Sequence, residues 1–130
     1  MAYDWIEYFY LAQELSGMTP DGKVTVEAKE RTAISRAYYT AFCKARNFLR
    51  EKEAFSPKEK VHEAVRNQFV NSNSKTKQKI GENLKRLCTS RNKADYWDIW
   101  SVNLSAERSA AFLFTKEIIS ALSSLNSSSL

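Results

Sequence analysis

The chain has 130 residues, a formal charge of +5, 43% hydrophobic residues and 27% charged residues. That length suits one compact domain, and the composition is too apolar and aromatic for a disordered chain. Three Gly and two Pro argue against a turn-rich sandwich or barrel and for long helices.

Periodicity predicts helix 1 over about Tyr3 to Leu15, with Trp5, Phe9, Ala12 and Leu15 on one apolar stripe and Ile6 and Tyr10 beside it. Gly17 is an end signal, and Thr19-Pro20-Asp21-Gly22 is a turn sequence. Val24 and Val26 fit either an extended stretch or the start of the next helix. Helix 2 is expected over about Glu27 to Lys52. Its seam of Ile34, Tyr38, Ala41, Ala45 and Phe48 has the heptad-like spacing of near-parallel helix packing. A second stripe, Arg31, Ser35, Tyr39, Phe42 and Arg46, mixes hydroxyl and guanidinium groups in a way unusual for a core face. Helix 3 is expected from Ser56-Pro57-Lys58-Glu59, a capping-box sequence, with Val61, Ala64, Val65 and Phe69 inward and an end near Asn71 to Ser74. Helix 4 spans about Lys75 to Tyr96, with Ile80, Leu84, Leu87 and Cys88 inward. Trp97 to Leu104 reads as a connection. Ser105 is the expected cap of helix 5, which runs to about Leu125 and buries Phe112, Ile118, Leu122 and Leu125. The expected fold is all-α: a five-helix bundle with antiparallel long helices, one domain over residues 1–125 and a flexible Ser-rich tail over 126–130.

The longest unbroken apolar run, Ala110 to Phe114, is about a quarter of a membrane span, so no transmembrane helix is expected. The acidic opening residues lack a basic n-region, so no signal peptide is expected. Cys43 and Cys88 read as reduced, buried thiols of a cytoplasmic protein. One His and two separated Cys give no metal-ligand spacing, and no cofactor is implied. Gly-rich phosphate loops and Ser-His-Asp patterns are absent from the sequence.

Charge is segregated along the chain. Residues 1–22 hold four acids and no base, residues 23–93 hold 18 bases against seven acids, and residues 94–130 hold four acids and two bases. The densest stretch, Lys75 to Lys93, has seven bases against Glu82 alone. Such a basic face is the footprint of a polyanion such as nucleic acid; a solvated Lys-rich helix surface is the other reading.

Two clusters could carry chemistry. The inward stripe Ile80, Leu84, Leu87 continues to Arg91, which puts a guanidinium where the pattern calls for an apolar side chain. A buried Arg must be paired, or must face a wet cleft or a partner. Asp95 lies one turn later on the same face, with Asn92 and Tyr96 flanking the pair. This arrangement reads as an anion site or as an intrahelical salt bridge. The second cluster, Ser35, Arg36, Tyr38 and Tyr39 in mid-helix 2, reads as a cleft wall or as plain packing. His62 taken alone reads as a satisfied or surface histidine.

Ala33-Ile34-Ser35-Arg36-Ala37-Tyr38-Tyr39-Thr40-Ala41-Phe42, followed by Ala45-Arg46, resembles the long second helix of the prokaryotic HEPN families. Lys60-Val61-His62 with Phe69 resembles their next helix. Leu87 and Arg91-Asn92-Lys93-Ala94-Asp95-Tyr96 resemble their signature segment, and Ser105 to Leu125 has the character of their closing helix. The resemblance implies a helical bundle that forms a homodimer with signature segments face to face. It also implies a metal-independent endoribonuclease, either a toxin paired with a minimal nucleotidyltransferase antitoxin or an effector of antiviral defence. The family's usual active motif is Arg and then, after four to six residues, His. The Arg is expected to stabilise phosphate charge and the His to move the 2′-hydroxyl proton. Here Tyr96 occupies the first such position, as in the Arg…Ala-Asp-Tyr branch of the family. By this resemblance Arg91, Asn92, Asp95 and Tyr96 are the expected catalytic residues. Ser35, Arg36, Tyr38, Tyr39, His62, Lys85, Arg86 and Lys93 are expected to shape an RNA- or nucleotide-binding cleft. His62 could take the place of the missing histidine if the fold brings helix 3 to Arg91. A non-catalytic module that binds nucleotide, RNA or a partner protein is the alternative.

Overall fold

A computed structural model describes residues 3–100 and 103–128 of the chain. Within them lie five helices and no strand: α1 (Ile6–Leu15), α2 (Val26–Glu53), α3 (Val61–Val70), α4 (Lys75–Tyr96) and α5 (Leu104–Ser128). The helices pack together as a bundle around α2, which touches each of the other four. No helix among the described residues is long and apolar enough to cross a membrane.

The seam predicted for α2 is the centre of the core. Ile34, Tyr38, Ala41, Ala45 and Phe48 are all buried, against Val65 and Phe69 of α3, Ile80, Leu84 and Leu87 of α4, and Ile118 and Leu122 of α5. Each large side chain so buried contributes about 1.5–3 kcal/mol to the folded state. The α2 N-terminus is capped by Thr25, whose Oγ1 accepts from the Ala28 N–H at 3.1 Å. Its C-terminus closes through left-handed Ala54, with the Phe55 N–H bonded to the Leu49 carbonyl.

Polar ties fix the helix directions. Ser35 meets Asp95 and Glu53 meets Lys77, so α4 runs antiparallel to α2. Asn83 meets Glu117 and Ser90 meets Glu107, so α5 is antiparallel to α4. Consequently α2 and α5 share a direction, with Glu30 beside Arg108 and the Ala37 carbonyl accepting from Thr115. At Gly81 an added Cβ would stand 2.6 Å from the Val70 backbone nitrogen, so this glycine is what lets α3 and α4 approach.

The predicted limits of α4 match the structure, and α2 starts one residue early, at Val26. Gly17, at φ +78°, follows the end of α1 as expected, and the following turn is pinned to α1 by two Gln13–Asp21 hydrogen bonds. Other expectations are corrected. Helix 1 starts at Ile6, because Tyr3 and Trp5 are drawn aside into an aromatic cluster. Its apolar stripe is the wrong face: Leu11 is buried, while Phe9 is 52% exposed and Ile6, Ala12 and Leu15 are also exposed. The Ser56–Glu59 capping box does not form. Lys60 adopts a left-handed conformation (φ 48°), and α3 begins only after it, at Val61. Asn103, not Ser105, caps α5, its Oδ1 accepting from the Ala106 N–H. That helix continues to Ser128, past the expected end at Leu125, and Phe112 on it is exposed. Parts of the predicted connection (residues 101 and 102) and tail (residues 129 and 130) lie outside the described residues. Both cysteines are free and half-buried, not fully buried as predicted.

Candidate functional site

Two guanidinium groups meet the C-terminal half of α4. The wholly buried one is Arg31, whose side chain is 0% exposed. Its Nε bonds Glu27 at 2.8 Å, and its Nη1 donates to the carbonyls of Ala94 at 3.0 Å and Trp97 at 2.7 Å. These carbonyls belong to the last turn of α4 and its exit, where the helix leaves acceptors unfilled and its dipole favours a cation. The Arg31 guanidinium carbon also lies 4.2 Å, 5.0 Å and 5.3 Å from the ring centroids of Tyr3, Trp5 and Trp100. The N-terminal segment is held there by hydrogen bonds from the Trp5 indole to Asp98 and from the Tyr8 hydroxyl to the Ala94 carbonyl.

The second guanidinium, Arg91, sits among the predicted cleft residues. Its side chain is 13% exposed and lies 5.0 Å from the Tyr38 ring and 5.7 Å from the Tyr39 ring. Asp95, the expected ionic partner, is only at 4.0 Å, and Arg91 Nε is buried with no hydrogen-bond acceptor. The Tyr38 hydroxyl shares a 2.5 Å hydrogen bond with His62 Nδ1, and the His62 ring stacks on Phe42 at 3.9 Å. Tyr39 meets His62 edge-on. The α2–α3 packing thus brings His62 to the residues around Arg91. With Nδ1 engaged by Tyr38, Nε2 carries no hydrogen bond among the described residues.

Electrostatics follow from this packing. Burial, reinforced by Arg91, Arg66 and Arg46, holds His62 below the ordinary imidazole pKa. Burial is also the main reason that the Tyr38 phenol is pushed up. Burial opposes the charge on Arg91, but Tyr39, Cys88 and Tyr38 outweigh it and raise its pKa. For Asp95, burial wins over the Ser35 hydroxyl, Arg91 and Arg31, and its carboxyl is raised. The 4.0 Å gap to Arg91 explains why that ion pair does not dominate.

A groove of about 690 Å³ opens beside this cluster between α1 and α2. Tyr8, Leu11, Ala12 and Leu15 form one wall, and Thr32, Ser35, Arg36, Tyr39, Thr40 and Cys43 the other, with Asp95 of α4 also lining it. Ser35 donates to Asp95 Oδ2 at 3.2 Å. Tyr39 and Asp95 therefore border both the groove and the Arg91 cluster.

The structure gathers Ser35, Tyr38, Tyr39, His62, Arg91 and Asp95, with Arg36 on the groove. It does not gather the remaining candidates. Tyr96 is 70% exposed, and Asn92 is exposed with a 4.0 Å contact to Cys88 Sγ. Lys93 pairs with Glu107, and Arg86 lies over Phe114, both on the α5 side; Lys85 is exposed. The Lys75–Lys93 bases are thus divided around α4, with Lys77 tied to Glu53 of α2. The sequence reading passed over Arg66 and the α1 wall. Arg66 had a signal: it lies four residues after His62 on a helix. No group of three or more His, Cys, Asp or Glu among the described residues could hold a metal ion.

Fold and site together define an all-helical bundle with an arginine–aromatic cleft beside an apolar groove. No family model matches the chain, and neither a curated protein nor a solved structure does.

Proposed function

We propose that the protein acts on RNA as a metal-independent endoribonuclease of the HEPN kind, working as a homodimer in a toxin or defence role. The observation that carries this reading is the meeting of Arg91 and His62 at one tyrosine: the guanidinium lies over the Tyr38 ring and the imidazole binds the Tyr38 hydroxyl. Arg91 has spare hydrogen-bonding capacity for a phosphate and stabilises charge developing on its oxygens. His62, held neutral, offers Nε2 to take the 2′-hydroxyl proton. The 2′-oxygen then bonds to phosphorus, the bond to the 5′-oxygen breaks, and a proton returns to that leaving oxygen. The products are a 2′,3′-cyclic phosphate and a 5′-hydroxyl. Arg46 and Arg66 add sequence-independent attraction for the backbone. The exposed Tyr96 at the end of the signature segment, with exposed Trp97 and Ile99 beyond it, supports self-association there.

The test is degradation of total RNA in the presence of a chelator. Wild type is expected to cut, and Arg91→Ala and His62→Gln to cut about 100-fold more slowly. No cleavage by wild type, or equal cleavage by all three, overturns the enzymatic reading.

One observation favours a second reading. Tyr96, at the position of the family's usual histidine, stands exposed outside the cluster. A module that binds RNA, nucleotide or a nucleotidyltransferase partner without turnover predicts salt-sensitive association in a gel shift and no cleavage.

A further inference from the structure

The groove between α1 and α2 has the volume and the mixed lining of a small-ligand site. Most of its wall is apolar or aromatic, and Tyr39, 43% exposed, supplies a ring for a planar group. Among its lining residues Asp95 is the sole carboxylate. Its contacts from Ser35 (3.2 Å) and Arg91 (4.0 Å) both fall on Oδ2, and Oδ1 takes no hydrogen bond among the described residues. A carboxylate has about four lone-pair sites, and the Ser35 hydroxyl fills only one. The groove therefore presents an acceptor-only group beside an aromatic wall, with the cation of Arg36 also on the lining.

That combination selects among planar ligands. A carboxylate can meet two adjacent N–H donors but repels an edge that presents acceptors. Of the four RNA bases, only guanine carries two neighbouring donors, N1–H and the N2 amino group, on its pairing edge. Adenine, cytosine and uracil each place an acceptor next to their donor. Arg36 fits the phosphate of such a nucleotide.

We infer that the α1–α2 groove is a base-selecting pocket for guanine nucleotides, with Asp95 reading the N1–H/N2–H edge, Tyr39 flanking the base and Arg36 taking a phosphate. The inference deepens the RNA reading and rests on it for one point, the placing of the neighbouring phosphate at Arg91. Because Asp95 and Tyr39 border both sites, a guanine in the groove would lie next to the phosphate to be cut, and cleavage would fall beside G.

The test is equilibrium binding of the four nucleoside 5′-monophosphates to the full chain, followed by calorimetry and by the tyrosine and tryptophan emission. GMP is expected to bind about tenfold or more tighter than AMP, CMP or UMP, the scale of a good two-point base contact. Asp95→Asn should abolish that preference. Ala12→Trp, which fills the groove from the α1 side, should weaken GMP binding about tenfold or more with the helical circular dichroism retained. Equal binding of all four nucleotides, displacement of GMP by inorganic phosphate alone, a G preference that survives Asp95→Asn, or unchanged GMP affinity in Ala12→Trp overturns the inference. Selective GMP binding without RNA cleavage would uphold the pocket while the ribonuclease reading fails. Cleavage without base preference would do the reverse.

Discussion

Arg31 reaches the last turns of α4 from α2 and Arg91 stands on those turns, and they differ in how close their partners come. Arg31 has a carboxylate, two close carbonyls and three aromatic rings around it, and only Nη2 is left without an acceptor. Arg91 has one distant carboxylate, two tyrosine rings and a buried Nε with nothing to donate to. Both are largely removed from water, so burial does not tell them apart. Partner distance does: Arg31 is held by oxygen acceptors within 3.0 Å on Nε and Nη1, whereas Arg91 meets its carboxylate only at 4.0 Å beside a groove, where it can still recognise an anion.

The sharpest way to break this contrast is Arg31→Met. It leaves the carbonyls of Ala94 and Trp97 without their donor, and the expected loss is about 3–5 kcal/mol of unfolding free energy in urea titrations. A loss below about 1 kcal/mol, the scale of an exposed ion pair, would dissolve the distinction. Arg91→Ala should cost less, about 1–2 kcal/mol, while RNA affinity in filter binding falls about tenfold or more. The reverse ordering, a collapse of stability with affinity intact, would make Arg91 the structural member of the pair.

Salt sharpens the comparison further. If Arg91 and Arg66 meet phosphate as proposed, replacing either with Gln should lower the slope of log affinity against log salt by about one. Any Arg31 variant that still folds should keep the wild-type slope. The smallest effect expected is with pH. His62 is depressed in the folded state, so the fold resists its protonation. The stability tied to neutral His62 is fully present above the unfolded imidazole value of about 6.5 and is lost as pH falls through it towards the lower folded value. Urea midpoints of wild type and His62→Gln should therefore converge as the pH is lowered from about 8 to 5, and a constant gap would show that His62 has no depressed pKa.

Much of the frame was legible because α2 and α4 are long. A seam repeated over about four turns leaves little freedom, and every residue predicted for the α2 core is buried. Short segments were less legible. The ten residues of α1 are apolar or aromatic on nearly every side, so periodicity could not choose a face. Tertiary contacts chose Tyr8 and Leu11. The Ser56–Glu59 signature was a sound local start signal, but left-handed Lys60 placed the helix entry four residues later. At the site, Arg91 announced itself by interrupting an apolar stripe. Arg31 gave only an odd stripe, because its partners are backbone carbonyls some sixty residues away in sequence. Likewise His62 looked ordinary until α3 folded against Tyr38.

The Arg31 junction joins the opening residues of the chain, the start of α2 and the stretch around Trp97 and Trp100. During synthesis the first two leave the ribosome well before the third. Until then the arginine has neither its carbonyl acceptors nor its last aromatic neighbour, and α1 has only α2 and its own following turn to hold it. The docking of Tyr3, Trp5 and Tyr8 is therefore complete only once the end of α4 has emerged. Translation through that stretch sets the moment at which the N-terminal segment can dock on Arg31, before α5 completes the core.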